Sequence, residues 1–345
     1  MREFSLELGL DTFGDITDGP DGKPLSAAQV MRDLVEEGVA ADEAGVDFLG
    51  VGEHHRADFA VTSPEMVLAA IAARTKRIRL GSAVTVLSSD DPIRVYQRFA
   101  TLDAVSNGRA EVILGRGSFI ESFPLFGFDL NQYEELFNEK LDLYAKVIQQ
   151  QPVTWQGRTR PPLKNQPIFP KTESGTLATW IGVGGTPESV MRAAHYGFPM
   201  MLAIIGGGPK RFAPFADLYR RALSEQSKPM LPIGVHSHGY VAETDALARE
   251  ELFADYKRMR DKIGSERGWP PFGKSEFERE IESGSLYVGA PETVARKIAA
   301  TIKAIGATRF DMKYSAGPLS HAKMMRCIEL YGRKVAPLVR ELVGT

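Results

Sequence analysis

A carboxylate and two imidazoles stand together where an apolar segment of the sequence ends. Glu53, His54 and His55 directly follow the run Phe48–Gly52, in a chain that has only six histidines. Histidine can take or give a proton near neutral pH, and a neighbouring carboxylate can orient its ring. The stretch therefore predicts an acid–base centre, with His54 as its first candidate. The alternative is that both histidines only hydrogen-bond the backbone of a loop.

A second pair of histidines is separated by one residue. His236 and His238 would lie on the same face of a strand, because side chains alternate between the two faces. At least one of them is expected to line the mouth of an active site, although a core histidine with satisfied hydrogen bonds would explain the pattern as well. A metal site is another interpretation, but adjacent His54 and His55 point apart, and the sequence has no HxxxH or Cys/His ligand spacing.

Arginine, glycine and hydroxyl residues form a candidate anion site. An arginine stands between two glycines in ILGRGS, and the segment WIGVGGTPES turns through glycines into a helix. A guanidinium group binds anions through a fork of donors, and the first N–H groups of a helix carry partial positive charge. The candidate phosphate-binding residues are Arg116, Gly184, Gly185, Thr186 and Ser189. Thr186 could instead only cap its own helix, and the loop IIGGGPKRF offers a rival phosphate site.

Eight strand-like segments alternate with helical patterns and would position these residues. The segments are Phe4–Leu10, Val46–Gly52, Ile78–Leu87, Ala110–Gly115, Thr179–Gly184, Pro199–Ile205, Ile233–Val241 and Arg309–Ser315. Eight repeats of strand and helix predict a parallel (β/α)8 TIM barrel, an α/β fold, with an open doubly wound sheet as the alternative. In such a barrel the candidate residues would meet at the carboxyl ends of the strands.

Two segments are longer than ordinary connections between strand and helix. Gln151–Gly175 is rich in proline, lysine and arginine, and Gly264–Gly284 is rich in charge and glycine. Connections of this length in a compact domain are usually functional loops or surface excursions. We expect both to be long insertions at the carboxyl-terminal rim of one domain, residues 1–345, with Gly264–Gly284 closing over the site.

Composition and charge exclude several classes of protein. The chain has 345 residues, of which 43% are hydrophobic and 25% charged, and its formal net charge is −2. That charge gives no reason to expect nucleic acid or an anionic membrane as a partner, and no apolar run approaches the ~20 residues of a membrane span. A single cysteine, Cys327, and an N-terminus without a signal-peptide pattern favour a cytoplasmic location.

Several motifs, in order along nearly the whole chain, resemble those of the bacterial luciferase-like flavin monooxygenases. They are GVDFLGVGEHH, SPEMVLAAIAARTKRIRLGSAVTVL, DPIRVYQRFATLDAVSNGRAEVILGRGS and VGAPETVARKI. The resemblance implies a (β/α)8 barrel that forms a homodimer and binds FMN, or, as the alternative, the related deazaflavin coenzyme. It does not identify the substrate.

The resemblance also assigns roles to particular residues. It implies that His54 is the acid–base residue near the flavin ring, that the Ala83–Val84 peptide is cis, and that Arg116, Thr186 and Ser189 contact the flavin phosphate. His238 resembles an active-site position of sulfonate-using relatives. Glu53, His55, Gly184 and Gly185 complete the expected cofactor site. One departure is Gly115, where bacterial luciferase has a cysteine, so light emission from an aldehyde is not implied.

The function implied by this resemblance is that of a flavin-dependent monooxygenase. Reduced FMN from a separate reductase would react with O2 to give a C4a-(hydro)peroxyflavin, which would oxygenate a small organic substrate. The first alternative is a deazaflavin-dependent oxidoreductase that transfers hydride. The second is a flavin-binding protein without catalytic activity.

Overall fold

The computed structural model describes residues 4–117 and 119–344 and shows a closed parallel barrel. The strands are β1 (Glu7–Thr12), β2 (Phe48–Val51), β3 (Arg79–Ser82), β4 (Thr85–Val86), β5 (Ala110–Gly115), β6 (Val153–Trp155), β7 (Leu163–Gln166), β8 (Ala178–Val183), β9 (Met200–Ala203), β10 (Ile233–Val241), β11 (Tyr287–Gly289) and β12 (Arg309–Lys313). Each of the eight strand-like segments of the sequence overlaps a strand of the barrel.

Helices surround the barrel and follow its strands. They are α1 (Ala27–Ala44), α2 (Pro64–Ala72), α3 (Pro92–Val105), α4 (Ser122–Leu125), α5 (Tyr133–Val147), α6 (Pro187–Tyr196), α7 (Ala213–Glu225), α8 (Asp245–Arg267), α9 (Lys274–Glu282), α10 (Pro291–Ile305), α11 (His321–Leu330) and α12 (Ala336–Val343). A π-helical turn, Tyr331–Val335, joins α11 to α12. No helix in the described ranges is long and apolar enough to cross a membrane.

The hydrogen-bond register closes the sheet on itself. Going around the barrel, β1 pairs with β2, β2 with β3, β3 and its continuation β4 with β5, then β8, β9, β10 and β12 follow, and β12 pairs back to β1. Every one of these pairs is parallel. The prediction of a (β/α)8 barrel is therefore confirmed, and the open doubly wound alternative is wrong.

The local start and stop signals explain why the helices begin and end where they do. Asp91 accepts hydrogen bonds from the backbone N–H groups of Ile93 and Arg94, so it caps α3 ahead of Pro92. At the other end of a helix, Gly197 adopts a left-handed conformation, with φ of 71°, and terminates α6.

The two long insertions contain regular structure. Gln151–Gly175 holds the antiparallel hairpin of β6 and β7. The expectation that the whole of Gly264–Gly284 is a loop is wrong, because the segment contains the end of α8 and the whole of α9, with a short non-helical connection at 268–273 between them. Its many Glu, Lys and Arg residues favour a solvent-exposed helix as readily as a loop.

A buried charge network fills the amino-terminal part of the barrel. The side chain of Arg309 is 1% exposed, and its Nε lies 3.0 Å from each carboxylate oxygen of Asp311. Its Nη1 donates to Glu111, which is fully buried and also pairs with Arg79. The guanidinium stacks 3.6 Å above the ring of Phe48. Arg309 thus compensates the buried carboxylate of Asp311 and shares the compensation of Glu111 with Arg79.

We predict that Arg309→Met destabilises the fold by about 3–5 kcal/mol, because the substitution leaves the Asp311 carboxylate buried without its paired cation and leaves Glu111 with Arg79 alone. Urea denaturation of both proteins measures the difference in the free energy of unfolding. The matched control is Arg333→Met, which removes an exposed pair with Glu329 and should cost less than about 1 kcal/mol. Equal losses for the two variants would contradict the prediction.

Candidate active site

A cavity of about 210 Å³ opens at the carboxyl ends of the barrel strands. Its residues come from β1, β2, β3, β5, β8, β9, β10 and β12, from the segments that follow these strands, and from the start of α5. The lining consists of Asp11, Phe13, Glu53, His54, Ala83, Val84, Val86, Ile113, Gly115, Arg116, Gly117, Tyr133, Gly182, Val183, Gly184, Met201, Ala203, Ile205, His236 and Asp311. A larger cavity, of about 380 Å³, lies at the opposite end beside Glu7 and Arg79. The site of chemistry in this fold is the carboxyl-terminal end.

One wall of the cavity is formed where β3 breaks and continues as β4. The Ala83–Val84 peptide between them is cis, as predicted from the resemblance. Glycines at the ends of the flanking strands, one directly after β2 and one at the end of β5, make room for this segment. A Cβ atom on Gly52 would lie 2.9 Å from the carbonyl oxygen of Ala83, and one on Gly115 would lie 2.5 Å from the Val84 side chain. A side chain at either glycine would displace the cavity wall.

Glu53 ties this wall to the loop after β2. Its Oε2 accepts a hydrogen bond from the backbone N–H of Val86 at 2.9 Å, and its Oε1 lies 2.8 Å from Nε2 of His55. The His55 ring packs edge-on against Phe126, with 5.0 Å between ring centroids, and does not line the cavity. Glu53 therefore lines the cavity and links the segment after β2 to β4 through its hydrogen bond with Val86. His55 lies outside the cavity and holds the other carboxylate oxygen of Glu53.

His54 lines the cavity inside a cage of aromatic rings. Ring centroids of Phe13, Phe59 and Phe119 lie 4.7, 4.4 and 5.2 Å from its own. Its Nε2 is buried and has no hydrogen-bond partner in the part of the chain described here. Burial lowers the pKa of His54 to about 3, although the Asp15 carboxylate opposes the shift. A pKa this low favours the neutral imidazole at neutral pH, whereas the sequence led us to expect a ring that titrates there.

The two histidines of β10 have different environments. His236 lines the cavity, and its Nδ1 lies 2.6 Å from Oδ2 of Asp11. His238 does not line the cavity: its ring packs edge-on against Tyr256, and its Nδ1 is buried without a partner among the described residues. Burial, reinforced by the charges of Lys313 and His236, lowers the pKa of His238 well below its ordinary value. The structure therefore brings His236, and not the predicted His238, to the cavity.

Four polar or aromatic cavity residues, Asp11, Phe13, Tyr133 and Asp311, were missed by reasoning from the sequence. Asp11 falls one residue beyond the predicted end of the first strand, so its position at the rim could have been found from a better strand boundary. Asp311 lies in the predicted last strand, where its alternation with Arg309 and Lys313 marks an inward face. Tyr133, which donates from its hydroxyl to the carbonyl of Gly117 at 2.8 Å, has no local sequence signal.

Arg116 and Gly184 reach the cavity, whereas Gly185, Thr186 and Ser189 lie behind it at the start of α6. Thr186 Oγ1 accepts a hydrogen bond from the backbone N–H of Ser189 at 3.4 Å, and Ser189 Oγ donates to the Thr186 carbonyl at 2.7 Å. Thr186 is therefore the N-cap that the sequence allowed as an alternative. Both hydroxyls already have partners within the first turn of the helix.

Glu134 neutralises the cations nearest to this helix terminus. Arg116 donates through Nη1 to Oε1 of Glu134, and Arg192 lies 3.1 Å from Oε2. Glu134 is about half exposed, with 54% of its side-chain surface accessible, so its carboxylate can be replaced by another anion without burying a new charge. The rival loop at Gly206–Gly208 does not line the cavity.

An ion-pair cluster covers the aromatic cage around His54. Arg56 donates to Glu121, lies 2.6 Å from Glu266 at the end of α8, and stacks 4.5 Å from the ring of Phe119. Three segments distant in sequence thus meet above His54. No group of three or more histidine, cysteine or acidic residues within the described ranges is arranged to hold a metal ion.

Comparison with known proteins identifies related sequences along most of the chain. The sequence pattern of the family described as "Luciferase-like monooxygenase" matches residues 12–309. The alpha chain of alkanal monooxygenase from the Kryptophanaron alfredi symbiont is 23% identical, over 92% of this chain and 95% of that protein.

Two solved structures share the fold but are described with different cofactors. One is the oxygenating constituent of 3,6-diketocamphane monooxygenase from the CAM plasmid of Pseudomonas putida, in complex with FMN. It superposes with a TM-score of 0.79 at 20% identity, over 97% of this chain and 99% of that one. The other is the coenzyme F420 dependent tetrahydromethanopterin reductase from Methanopyrus kandleri, with a TM-score of 0.70 at 18% identity, over 96% of this chain and 99% of that one.

We predict that the His54 imidazole stays neutral until the pH approaches about 3, because its aromatic cage excludes the water that would solvate the cation. NMR titration of the ring nitrogens should show no inflection for His54 between neutrality and that pH. In the unfolded chain the same ring titrates near 6.5, so the unfolded state binds the extra proton first. The free energy of unfolding should therefore decrease as the pH drops below about 6.5. The decrease should be less steep for His54→Phe, because phenylalanine binds no proton in the unfolded chain. A His54 inflection near pH 6.5 would contradict the prediction.

Proposed function

The chain belongs to the luciferase-like monooxygenase family, and we propose that it uses reduced FMN and O2 to oxygenate a small organic substrate. The observation that supports this most directly is the cavity itself. One side is apolar and suits a planar ring, whereas Arg116 and the start of α6 at its edge suit a phosphate. We further propose that residues 1–345 act as one catalytic domain.

The residues at the edge of the cavity fit the phosphate group of FMN. Arg116 and Arg192 converge on the half-exposed carboxylate of Glu134, and a phosphate in its place would take both guanidinium groups. A Cβ atom on Gly184 would meet nothing within 4 Å, so the backbone leaves open space beside these cations. The positive end of the α6 helix dipole lies beside these two cations and also favours an anion.

The remaining predicted cofactor residues have roles that follow from their positions. Ala83 and Val84 would contact the ring system, with Glu53 and His55 keeping this wall in place. Gly185, Thr186 and Ser189 shape and cap the helix start rather than reach into the cavity. Reduced flavin, when bound, supplies the electrons with which O2 is activated.

The protein's own contribution is a dry and neutral environment around the reacting groups. Phe13, Phe59 and Phe119 keep water away from His54. A neutral imidazole can donate or accept one hydrogen bond without adding charge to a site of low polarity. We assign His54 this role, as the residue that positions a proton beside the reacting oxygen, and we do not assign a catalytic role to His238.

The surface and the sequence support two further proposals about partners. The sequence contains no G-x-G-x-x-G motif for a nicotinamide dinucleotide, so we propose that a separate reductase supplies the reduced FMN. Met66 on α2 and Val105 on α3 are 70% and 56% exposed and border the same shallow surface cavity. We propose that these helices face a second copy of the chain in a homodimer.

The proposed function predicts that one oxygen atom of O2 enters the product. Reduced FMN from an added reductase is supplied under ¹⁸O₂ to a panel of aldehydes, ketones and phenols, and the products are analysed by mass spectrometry. A product carrying one labelled atom is the expected result. The control supplies the reduced deazaflavin coenzyme in place of FMN. Turnover with deazaflavin alone, without incorporated label, would favour the hydride-transferring alternative and contradict the proposal.

Arg116→Ala should weaken FMN binding by about 1.5–3 kcal/mol, the usual contribution of a charged hydrogen bond, while the fold is kept. Quenching of flavin fluorescence measures the dissociation constant for FMN and, in parallel, for riboflavin, which lacks the phosphate. The loss should appear for FMN and be absent for riboflavin. Arg158→Ala is the matched control, since Arg158 pairs with Glu135 on the same helix as Glu134 but is 86% exposed and distant from the cavity. Unchanged FMN affinity for Arg116→Ala would place the phosphate elsewhere.

A further inference from the structure

A carboxylate–imidazole pair lies deep in the cavity, separated from His54 by one aromatic ring. Asp11 is 1% exposed and His236 is 8% exposed, and the 2.6 Å contact joins Oδ2 of Asp11 to Nδ1 of His236. The ring of Phe13 lies between the two histidines, stacked on His236 at 6.0 Å and edge-on to His54 at 4.7 Å. The pair therefore faces the same space as His54 from another wall.

The other buried charges near this pair already have partners. Lys313 donates to Asp15 and to the side chain and carbonyl of Ser315, at 2.6–2.9 Å. Arg309 is committed to Glu111 and Asp311. Among the described residues, the Asp11 side chain is bonded to His236 through Oδ2, and its buried Oδ1 has no hydrogen-bond partner. The deep end of the cavity thus has an excess of hydrogen-bond acceptors.

The contact with Asp11 fixes which nitrogen of His236 is left for a ligand. A proton on Nδ1 is held by the carboxylate, so a neutral ring presents the lone pair of Nε2. A carboxylate behind an imidazole holds its tautomer and stabilises the cation that forms when the ring accepts a proton. This geometry suits a group that receives a proton from a ligand in the cavity.

We propose that the Asp11–His236 pair is the proton acceptor of the cavity and that the substrate presents to it an acidic hydroxyl, that of a phenol or an enol. The O–H bond breaks, its proton bonds to Nε2 of His236, and the electron pair stays on the oxygen. No oxidant or reductant is needed for this step. The inference rests on the proposed function, because it assigns the substrate class of the same cavity.

The charges that face His236 support this assignment. Burial lowers the pKa of its imidazole, but Asp11 on β1 and Asp311 on β12 outweigh burial and raise it above its ordinary value, while Lys313 on β12 opposes them. His238 is the other titratable neighbour on β10, and the segment of β9 paired with His236 contributes the apolar Ala203. A base is more effective when its pKa is near the pH at which it works, which excludes His54 from this role.

The optical probe 4-nitrophenol tests the proposal, because its phenolate and phenol forms absorb at different wavelengths. The protein of 345 residues, with oxidised FMN present, is titrated with the dye at a pH below the pKa of the free dye. We expect the bound dye to absorb as phenolate. 4-Nitroanisole has the same ring system and no O–H group, and it should bind at least about tenfold more weakly because it cannot donate the hydrogen bond.

Two substitutions separate the two members of the pair. His236→Gln should reduce the phenolate fraction of the bound dye by about tenfold or more, as expected when the proton acceptor is lost. Asp11→Asn should reduce it as well, and the pKa of His236 measured by ¹⁵N NMR should fall. His195→Gln, on the surface turn that ends α6, is the control and should leave both readings unchanged.

Several outcomes would overturn the proposal. They are a bound dye that stays in its phenol form, nitroanisole that binds as tightly as nitrophenol, an unchanged phenolate fraction in His236→Gln, and the absence of saturable dye binding. If a variant fails to fold, the comparison of 4-nitrophenol with 4-nitroanisole on the unaltered protein still shows whether the cavity accepts a proton from a phenol. FMN binding is measured separately by fluorescence on the same samples, so a failure of the flavin function is distinguished from a failure of the proton acceptor.

Discussion

The site depends on how the barrel interior accommodates the charges of its last strand. Arg309, Asp311 and Lys313 alternate along β12 and all point inward, so three ionic side chains occupy a volume that most barrels fill with branched aliphatic residues. Such groups are tolerated inside a protein only when each is paired. Toward the amino-terminal end of the barrel, Arg309 forms ion pairs with Glu111 and Asp311. Toward the carboxyl-terminal end, Lys313 forms an ion pair with Asp15 and donates a hydrogen bond to Ser315.

This arrangement determines the protonation of the residues above it. Burial raises the pKa of Asp311 to about 7, with Asp11 and Glu111 adding to the rise and Arg309 opposing it. Negative charge on Asp11 and Asp311 favours the protonated form of His236. His54, on the far side of the Phe13 ring, is instead surrounded by aromatic carbon and is kept neutral. Two histidines of one cavity thus have opposite pKa shifts because the walls around them differ.

The sequence was sufficient for the fold and for the general place of the site. Eight strand-like segments with proline and glycine at the helix ends specify a barrel, and Glu53–His54 directly after a strand must then lie at its rim. The same local patterns could not decide between His236 and His238, because both lie on the inward face of β10. Only the position of the cavity along that strand shows that His236 lines it and His238 does not. The local patterns also could not show that Thr186 and Ser189 would satisfy each other, or that the charged segment Gly264–Gly284 would be helical. These outcomes depend on contacts between residues far apart in the chain.

The separation of His54 from His236 suits a reaction that has to handle two protons at different places. A residue beside a reactive oxygen species should not become charged, because a cation would attract water into the aromatic cage. A residue that receives a proton from a substrate has to become charged and needs a counter-ion close by, which Asp11 provides at 2.6 Å. One histidine could not meet both requirements, since burial in apolar surroundings and contact with a carboxylate move its pKa in opposite directions. Phe13, which contacts both rings, keeps the two environments apart.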